Sequence, residues 1–290
     1  MNNLKENVKV TIGQIGTHDI DINNLFDELN GLSYKNPRIM WKKIRDAVQV
    51  AKQDQADFLV LPEISVPQEY LKTHIPTICN ENDLIIIGGV EFYHKHTHNH
   101  KQYIQNEAFI AVPGMEKDLN SRERAMVWKV PKIYPAFTEE KNIKEAGYYF
   151  SPGNKLYLFK SKEFGNWAVL ICVDYLNLPI QQMLQKKIQT LFIVAHNKDL
   201  NYYYSISESI HRILYCNVVV CNAANYGGSH AFTPYRESYK REVLKLHGNE
   251  MEIAATVTLP LKKIKEIQEA PRTQEFEGFT KKPSDYNYIQ

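Results

Sequence analysis

Short aliphatic runs separated by polar, helix-patterned segments recur along most of the chain. Val8 to Ile15 reads as a strand. From Ile39 to Gln55, the residues Ile44, Ala47, Val48 and Ala51 fall at the spacing that lines one face of a helix. Phe58-Leu59-Val60-Leu61 reads as a buried strand stopped by Pro62-Glu63, and a second helix is predicted over Gln68 to Ile78. Leu84 to Ile87 is the next strand, which Gly88-Gly89 is expected to loosen before Val90 to Tyr93. Strands follow at Tyr103 to Val112 and Glu123 to Val130, with a polar turn at Gly114-Met115-Glu116-Lys117. Pro131 to Gly153 reads as a long irregular segment, and loops of that length in a compact domain are often functional.

Leu156 to Phe159 and Trp167 to Cys172 form a predicted strand pair, followed by a helix from Pro179 to about Lys187. Thr190 to Ala195 is a strand, Tyr203 to Cys216 a helix and Val218 to Cys221 a further strand. Glu242 to Leu246 and Glu252 to Val257 are expected to close the pattern as a hairpin. Near-continuous aliphatic strands alternating with helices predict an α/β layered domain with helices covering the sheet. No composition break divides residues 1–267, whereas 268–290 is polar, carries Pro271 and Pro283, and reads as an extended tail, either partner-binding or disordered.

Composition narrows the function. A net charge of +2 argues against nucleic acid or an anionic membrane as the main partner. The N-terminus shows no apolar leader, and no run approaches the ~18 apolar residues of a membrane span. Four cysteines without paired spacing read as reduced thiols of a cytoplasmic protein.

One of those thiols ends a strand. In Ala168-Val169-Leu170-Ile171-Cys172-Val173-Asp174 the apolar run stops at Cys172, and open α/β layers place their chemistry at strand ends. A cysteine there can simply pack, since free cysteines are among the most buried residues. Two more strand ends share its grammar: Leu61-Pro62-Glu63 and Val130-Pro131-Lys132. A carboxylate, an amine and a thiol together supply a general base, a cationic oxyanion partner and a nucleophile.

On these motifs the chain resembles the nitrilase, or carbon–nitrogen hydrolase, superfamily over roughly residues 8 to 265. The resemblance rests on Leu61-Pro62-Glu63, on Lys132 with Glu140 eight residues later, and on Ile171-Cys172-Val173-Asp174 before Leu178-Pro179. Ser151-Pro152-Gly153, Asn222 and Gly227-Gly228 add to it. Lys129 competes with Lys132, but only Lys132 has a glutamate at the family's offset. The resemblance implies an α-β-β-α sandwich of two packed sheets with helices outside. It also implies attack by Cys172 on an amide or nitrile carbon, with Glu63 as base and Lys132 and the Val173 N–H holding the oxyanion. Glu140 would orient the lysine and substrate, with Tyr134, His196 and Asn197 bordering the substrate. It implies no metal and no other cofactor, and a homodimer or larger assembly. Two departures stand out. The usual Lys-x-His-Leu reads Lys132-Ile133-Tyr134-Pro135, and the usual Arg-Ala-x-Glu-Asn reads Arg212-Ile213-Leu214-Tyr215-Cys216.

Other features draw weaker readings. The alternating His94, His96, His98 and His100 fit an exposed hairpin better than a metal site. Tyr202-Tyr203-Tyr204 could line a pocket or pack a helix start. Gly227-Gly228-Ser229-His230 lacks the lysine and context of a phosphate loop. The function expected is a cysteine-dependent hydrolase of a non-peptide C–N bond, most simply a linear amide, working through a thioester. The alternatives are a nitrilase-like binding or regulatory module of a larger system, and acyl transfer to an amine by the same three groups.

Overall fold

The computed structural model describes residues 3–17, 34, 36–117, 123–284 and 286. Two sheets pack face to face. The first is ordered β13-β1-β2-β3-β4-β5, with β6 pairing β4. Its strands are β1 (Asn7–Gln14), β2 (Phe58–Val60), β3 (Ile85–His98), β4 (Lys101–Lys117), β5 (Glu123–Pro131), β6 (Tyr148–Phe150) and β13 (Ile253–Pro260). The second runs β12-β11-β10-β9-β8-β7. It is built from β7 (Phe159–Ser161), β8 (Gly165–Ile171), β9 (Thr190–Ala195), β10 (Asn217–Asn222), β11 (His230–Phe232) and β12 (Glu242–Lys245). Each sheet has a parallel centre, β1-β2-β3 in one and β8-β9-β10 in the other.

Side-chain alternation makes the layers. Phe58 and Val60 of β2 join the core between the sheets, while Leu59 and Leu61 face the opposite way. The outward set packs on α1 (Pro37–Gln53) and α2 (Gln68–Glu81), through Met40, Ile44, Ala47 and Ala51 of α1 and Leu71 and Ile75 of α2. Burying one such aliphatic side chain is worth roughly 1.5–3 kcal/mol, so the period of two along β2 specifies its register strongly. Against the second sheet, α4 (Leu178–Leu184) contributes Ile180 and Leu184, and α5 (Leu200–Ile210) contributes Tyr203 and Ile210. The architecture is the expected α-β-β-α sandwich.

Several elements differ from the sequence-based expectation. Gly88-Gly89 does not interrupt β3, which continues to His98. The segment Gly114–Lys117 lies within β4, past a register shift, and the connection to β5 falls outside the described residues. The long segment after Pro131 contains α3 (Phe137–Glu145) and β6. Glu242 to Leu246 and Glu252 to Val257 do not form a hairpin. β12 pairs β11 in one sheet, whereas β13 pairs β1 in the other. Gly248, at φ +98°, lies in the stretch joining them, and a Cβ on Gly227 would stand 2.3 Å from its carbonyl oxygen. The histidine run is a hairpin, as expected. Its turn residues Asn99 and His100 both have positive φ, and His96, His98 and His100 are exposed.

The C-terminal segment is docked. After α6 (Lys262–Glu269), Phe279 and Tyr286 bury themselves with Tyr215, Ile264 and Ile267. Lys282 Nζ donates to the carbonyls of Ile267 and Ala270, capping the end of α6. The polar composition concealed three well-placed anchors. Among the described residues no helix is long and apolar enough to cross a membrane.

Candidate active site

Glu63 ends β2 because the chain turns hard behind Pro62. Ile64 takes φ +61°, Ser65 Oγ donates to the Pro62 carbonyl (2.7 Å), and Gly89 N–H donates to the same carbonyl (2.9 Å). Tyr34 Oη donates to the Ile64 carbonyl from the other side. The turn approaches β3 so closely that a Cβ on Gly89 would lie 2.4 Å from both Glu63 Cα and Ile64 N. Only glycine fits there.

Lys132 follows β5, its N–H donating to the Asn106 carbonyl (2.9 Å) and its carbonyl accepting from Gly153 N–H (2.7 Å). Cys172 opens a single 3₁₀ turn, Cys172–Leu176, directly after β8. Its φ of +47° is unusual for a residue with a side chain. Asp174, two residues on, accepts from the N–H groups of Ile133 (2.9 Å) and Tyr134 (2.8 Å), tying the cysteine turn to the lysine loop.

These elements bring the three strand ends together. Lys132 Nζ donates to Glu63 Oε1 (2.7 Å) and to Glu139 Oε2 (2.6 Å). Asn106 Nδ2 bridges the same two carboxylates at 2.8 Å each. Glu63 Oε2 accepts the His196 N–H (3.0 Å). Tyr203 Oη donates to Cys172 Sγ (3.2 Å). Glu63, Lys132 and Cys172 are 2%, 1% and 5% exposed, so their charges interact with little screening by water.

Burial alone would raise the Glu63 carboxyl, but the charge and hydrogen bond of Lys132 outweigh it and hold Glu63 below its usual range. Burial likewise pulls Lys132 down, yet Glu139 and Glu63 carry it well above an ordinary lysine. The base and the cation are therefore both charged at neutral pH. Cys172 is the opposite case. Burial and the neighbouring Glu63 push its thiol up to about 12, against the pull of Lys132 and Tyr203. The resting sulfur is a thiol beside an ionised carboxylate.

Glu139, rather than Glu140, is the second carboxylate on Lys132. Consecutive helical residues point about 100° apart, and α3 turns Glu139 inward, where it also accepts the Ala136 N–H (2.9 Å). Glu140 is exposed and lines a groove of about 790 Å³ with Tyr134, Tyr149 and Met183, outside the lysine loop. Lys129 is elsewhere, paired with Glu107. His196 meets the site through its backbone, while its ring packs edge-on against Tyr226. Asn197 is held by reciprocal hydrogen bonds with Asn222. Val173 is half-buried beside the cysteine.

Asn106, Glu139 and Asp174 were not singled out from the sequence as site residues, and Tyr203 was read only as one of three tyrosines that could line a pocket. The polar triplet Gln105-Asn106-Glu107 inside the otherwise apolar β4 was the available signal for the first.

Neither a scan with protein-family models nor a comparison with curated protein sequences found a match. Solved structures do match. Saccharomyces cerevisiae Nit3, a member of branch 10 of the nitrilase superfamily, superimposes with a TM-score of 0.64 at 16% identity, over 95% of this chain and 98% of Nit3. The fold is that of the nitrilase superfamily. XC1258 of Xanthomonas campestris, a CN-hydrolase superfamily protein with an arsenic adduct in its active site, gives 0.62 at 12% identity, over 91% and 94%. A nitrilase-superfamily amidase from Nesterenkonia gives 0.61 at 12% identity, over 92% and 96%. Within this fold, strand ends of both sheets contribute to the cluster: Glu63 after β2 and Lys132 after β5 of one sheet, and Cys172 after β8 of the other.

Asp174 gives the site a pH dependence. Burial pushes its carboxyl up to about 6 against the two N–H groups it accepts. A raised folded-state value means its contribution to stability is full below the ordinary aspartate range and lost as pH rises through about 6. Its charge, however, is what grips the lysine loop. Any turnover that depends on this cluster is expected to fall as pH drops through about 6, a limb that Glu63, held low, cannot supply. Asp174→Asn is expected to lose that limb and run slower throughout, since one amide oxygen replaces two acceptors. A limb unchanged in the variant's pH–rate profile would assign it to another group.

Proposed function

We propose that this protein is a cysteine-dependent hydrolase of non-peptide C–N bonds, with a linear amide as the simplest substrate. One observation carries the reading: among the described residues Glu63 and Lys132 hold each other, and each keeps one hydrogen-bonding position open. Glu63 Oε1 already accepts from Lys132 and Asn106, and Oε2 from His196 N–H, which leaves Oε2 one lone pair for a proton. Lys132 Nζ spends two hydrogens on Glu63 and Glu139, leaving a third for an oxyanion.

In this reading the thiol proton passes to Glu63 as Sγ bonds to the carbonyl carbon, and the C=O electron pair moves onto oxygen. Lys132 and the N–H of Val173, in the first turn after the strand, stabilise that oxyanion. Glu63 returns the proton to the departing nitrogen as the C–N bond breaks, leaving a thioester. Water then gives a proton to Glu63 and attacks. The C–S bond breaks, and sulfur recovers its proton with release of the acid. Because the resting thiol is protonated, proton transfer and attack are coupled, and Glu63 serves in both halves.

The named neighbours support the reading. The Nesterenkonia amidase carries an active-site cysteine that adds to acrylamide. A second reading, an amidase unit within a larger system, draws on the Acinetobacter baumannii glutamine-dependent NAD+ synthetase. That enzyme matches 89% of this chain with 46% of its own, at 17% identity. Acyl transfer to an amine differs from hydrolysis only in what attacks the thioester. A homo-oligomer is also proposed, supported by exposed Leu178 and Met183 on α4 beside exposed Ile213.

Acid quenching during turnover of a panel of amides, ureas and nitriles, followed by intact mass measurement, tests the function. An acyl mass on Cys172 is expected, absent from a folded Cys172→Ala. The same adduct on Cys172→Ala would falsify the assignment.

A further inference from the structure

We propose that Tyr203 is a catalytic residue, its phenol donating a hydrogen bond to the cysteine sulfur that strengthens as the thiolate forms. The proposal rests on reading Cys172 as the nucleophile. The geometry is local and specific. Tyr203 Oη lies 3.2 Å from Cys172 Sγ, and Tyr203 is 4% exposed where its neighbour Tyr202 is 48% exposed. The start of α5 holds it: Asp199 accepts the N–H groups of Tyr202, through its carboxylate, and of Tyr203, through its carbonyl.

Nearby donors are committed elsewhere. Tyr175, whose ring packs 6.1 Å from Tyr203, donates its hydroxyl to Ser207 Oγ (3.0 Å). Ser207 in turn pairs with His230 Nε2 (2.8 Å), whose Nδ1 faces the Gly228 carbonyl (2.8 Å).

The sulfur needs such a donor. Lys132 is its cation, but that charge is shared by Glu63 and Glu139, so little of it is left for the sulfur as its proton passes to Glu63. A neutral hydrogen bond stabilises the new charge without bringing a proton that the base could take. Burial, with Cys172 and Glu63 beside it, keeps the phenol protonated. Tyr203 is a donor and never the base.

The test is the pH dependence of Cys172 alkylation by iodoacetamide, read by peptide mass mapping. Tyr203→Phe, which keeps the ring, is expected to slow alkylation about tenfold across neutral and mildly alkaline pH, with melting unchanged. Site-specific 3-fluorotyrosine at 203, a stronger donor, is expected to speed it. Tyr202→Phe is expected to behave as wild type. A Tyr203→Phe profile identical to wild type, or equal slowing by phenylalanine and fluorotyrosine, overturns the proposal. If wild-type Cys172 alkylates no faster than Cys79, the nucleophile reading itself fails, a distinguishable result.

Discussion

Lys132→Met is expected to cut turnover by about 10²–10³-fold and to cost the fold about 3–5 kcal/mol, because it removes an oxyanion donor and strands two buried carboxylates. Lys132 is 1% exposed and is the cation shared by Glu63 and Glu139, so little water is available to take its place. The pH dependence should reverse with it. In the wild type the depressed Glu63 contributes stability above the usual glutamate range, lost as pH falls through its lower folded value. Without the lysine, burial raises Glu63 instead. Its folded form then favours the proton, and stability declines as pH rises through that higher value. Melting curves between about pH 2 and about pH 8, which span the usual glutamate value of about 4.3 on both sides, check this directly. A variant whose melting falls on acidification as steeply as wild type would contradict the shared-cation account.

Gly89→Ala is the second large effect. The new Cβ would sit 2.4 Å from two backbone atoms of the Glu63 turn, so the turn or β3 must move by about 1 Å to restore ordinary contact. Overpacking of that kind costs about 1–3 kcal/mol or more. A 1 Å displacement of the base is expected to reduce kcat by about a hundredfold. Gly88→Ala supplies the comparison. Its Cβ would meet side-chain atoms of Leu61 and Phe109 at 3.0 Å, which can yield. Equal loss in both variants, by kcat and by melting temperature, would show that general strand packing is at stake and not the Glu63 turn.

These predictions mark what was legible in the chain. The strand ends Glu63 and Cys172 were readable because a buried parallel strand is a short aliphatic run that a polar group or thiol visibly ends, whereas Lys132, after the antiparallel edge strand β5, was picked out by its glutamate spacing. The Gly88-Gly89 pair was visible too, but its reason was not. Glycine in a strand reads as weakness until the turn packed against it is seen. Glu139 and Glu140 were adjacent in sequence and equivalent by spacing, and only the rotation of α3 chose between them. The tail looked polar because its anchors, Phe279, Lys282 and Tyr286, are few and spread out.

The sequence by itself determined an α/β alternation of most elements and placed a carboxylate, an amine and a thiol at three strand ends, because hydrophobic period and strand-end chemistry are local properties of the chain. Tertiary structure alone decided which carboxylate holds the lysine, which tyrosine touches the sulfur, and which strands close the two sheets. Those choices depend on the direction of side chains from elements far apart in sequence. Charge states followed the same division. The residue types supply the groups, but only their burial and mutual distances favour a carboxylate at Glu63, a cation at Lys132 and a neutral thiol at Cys172.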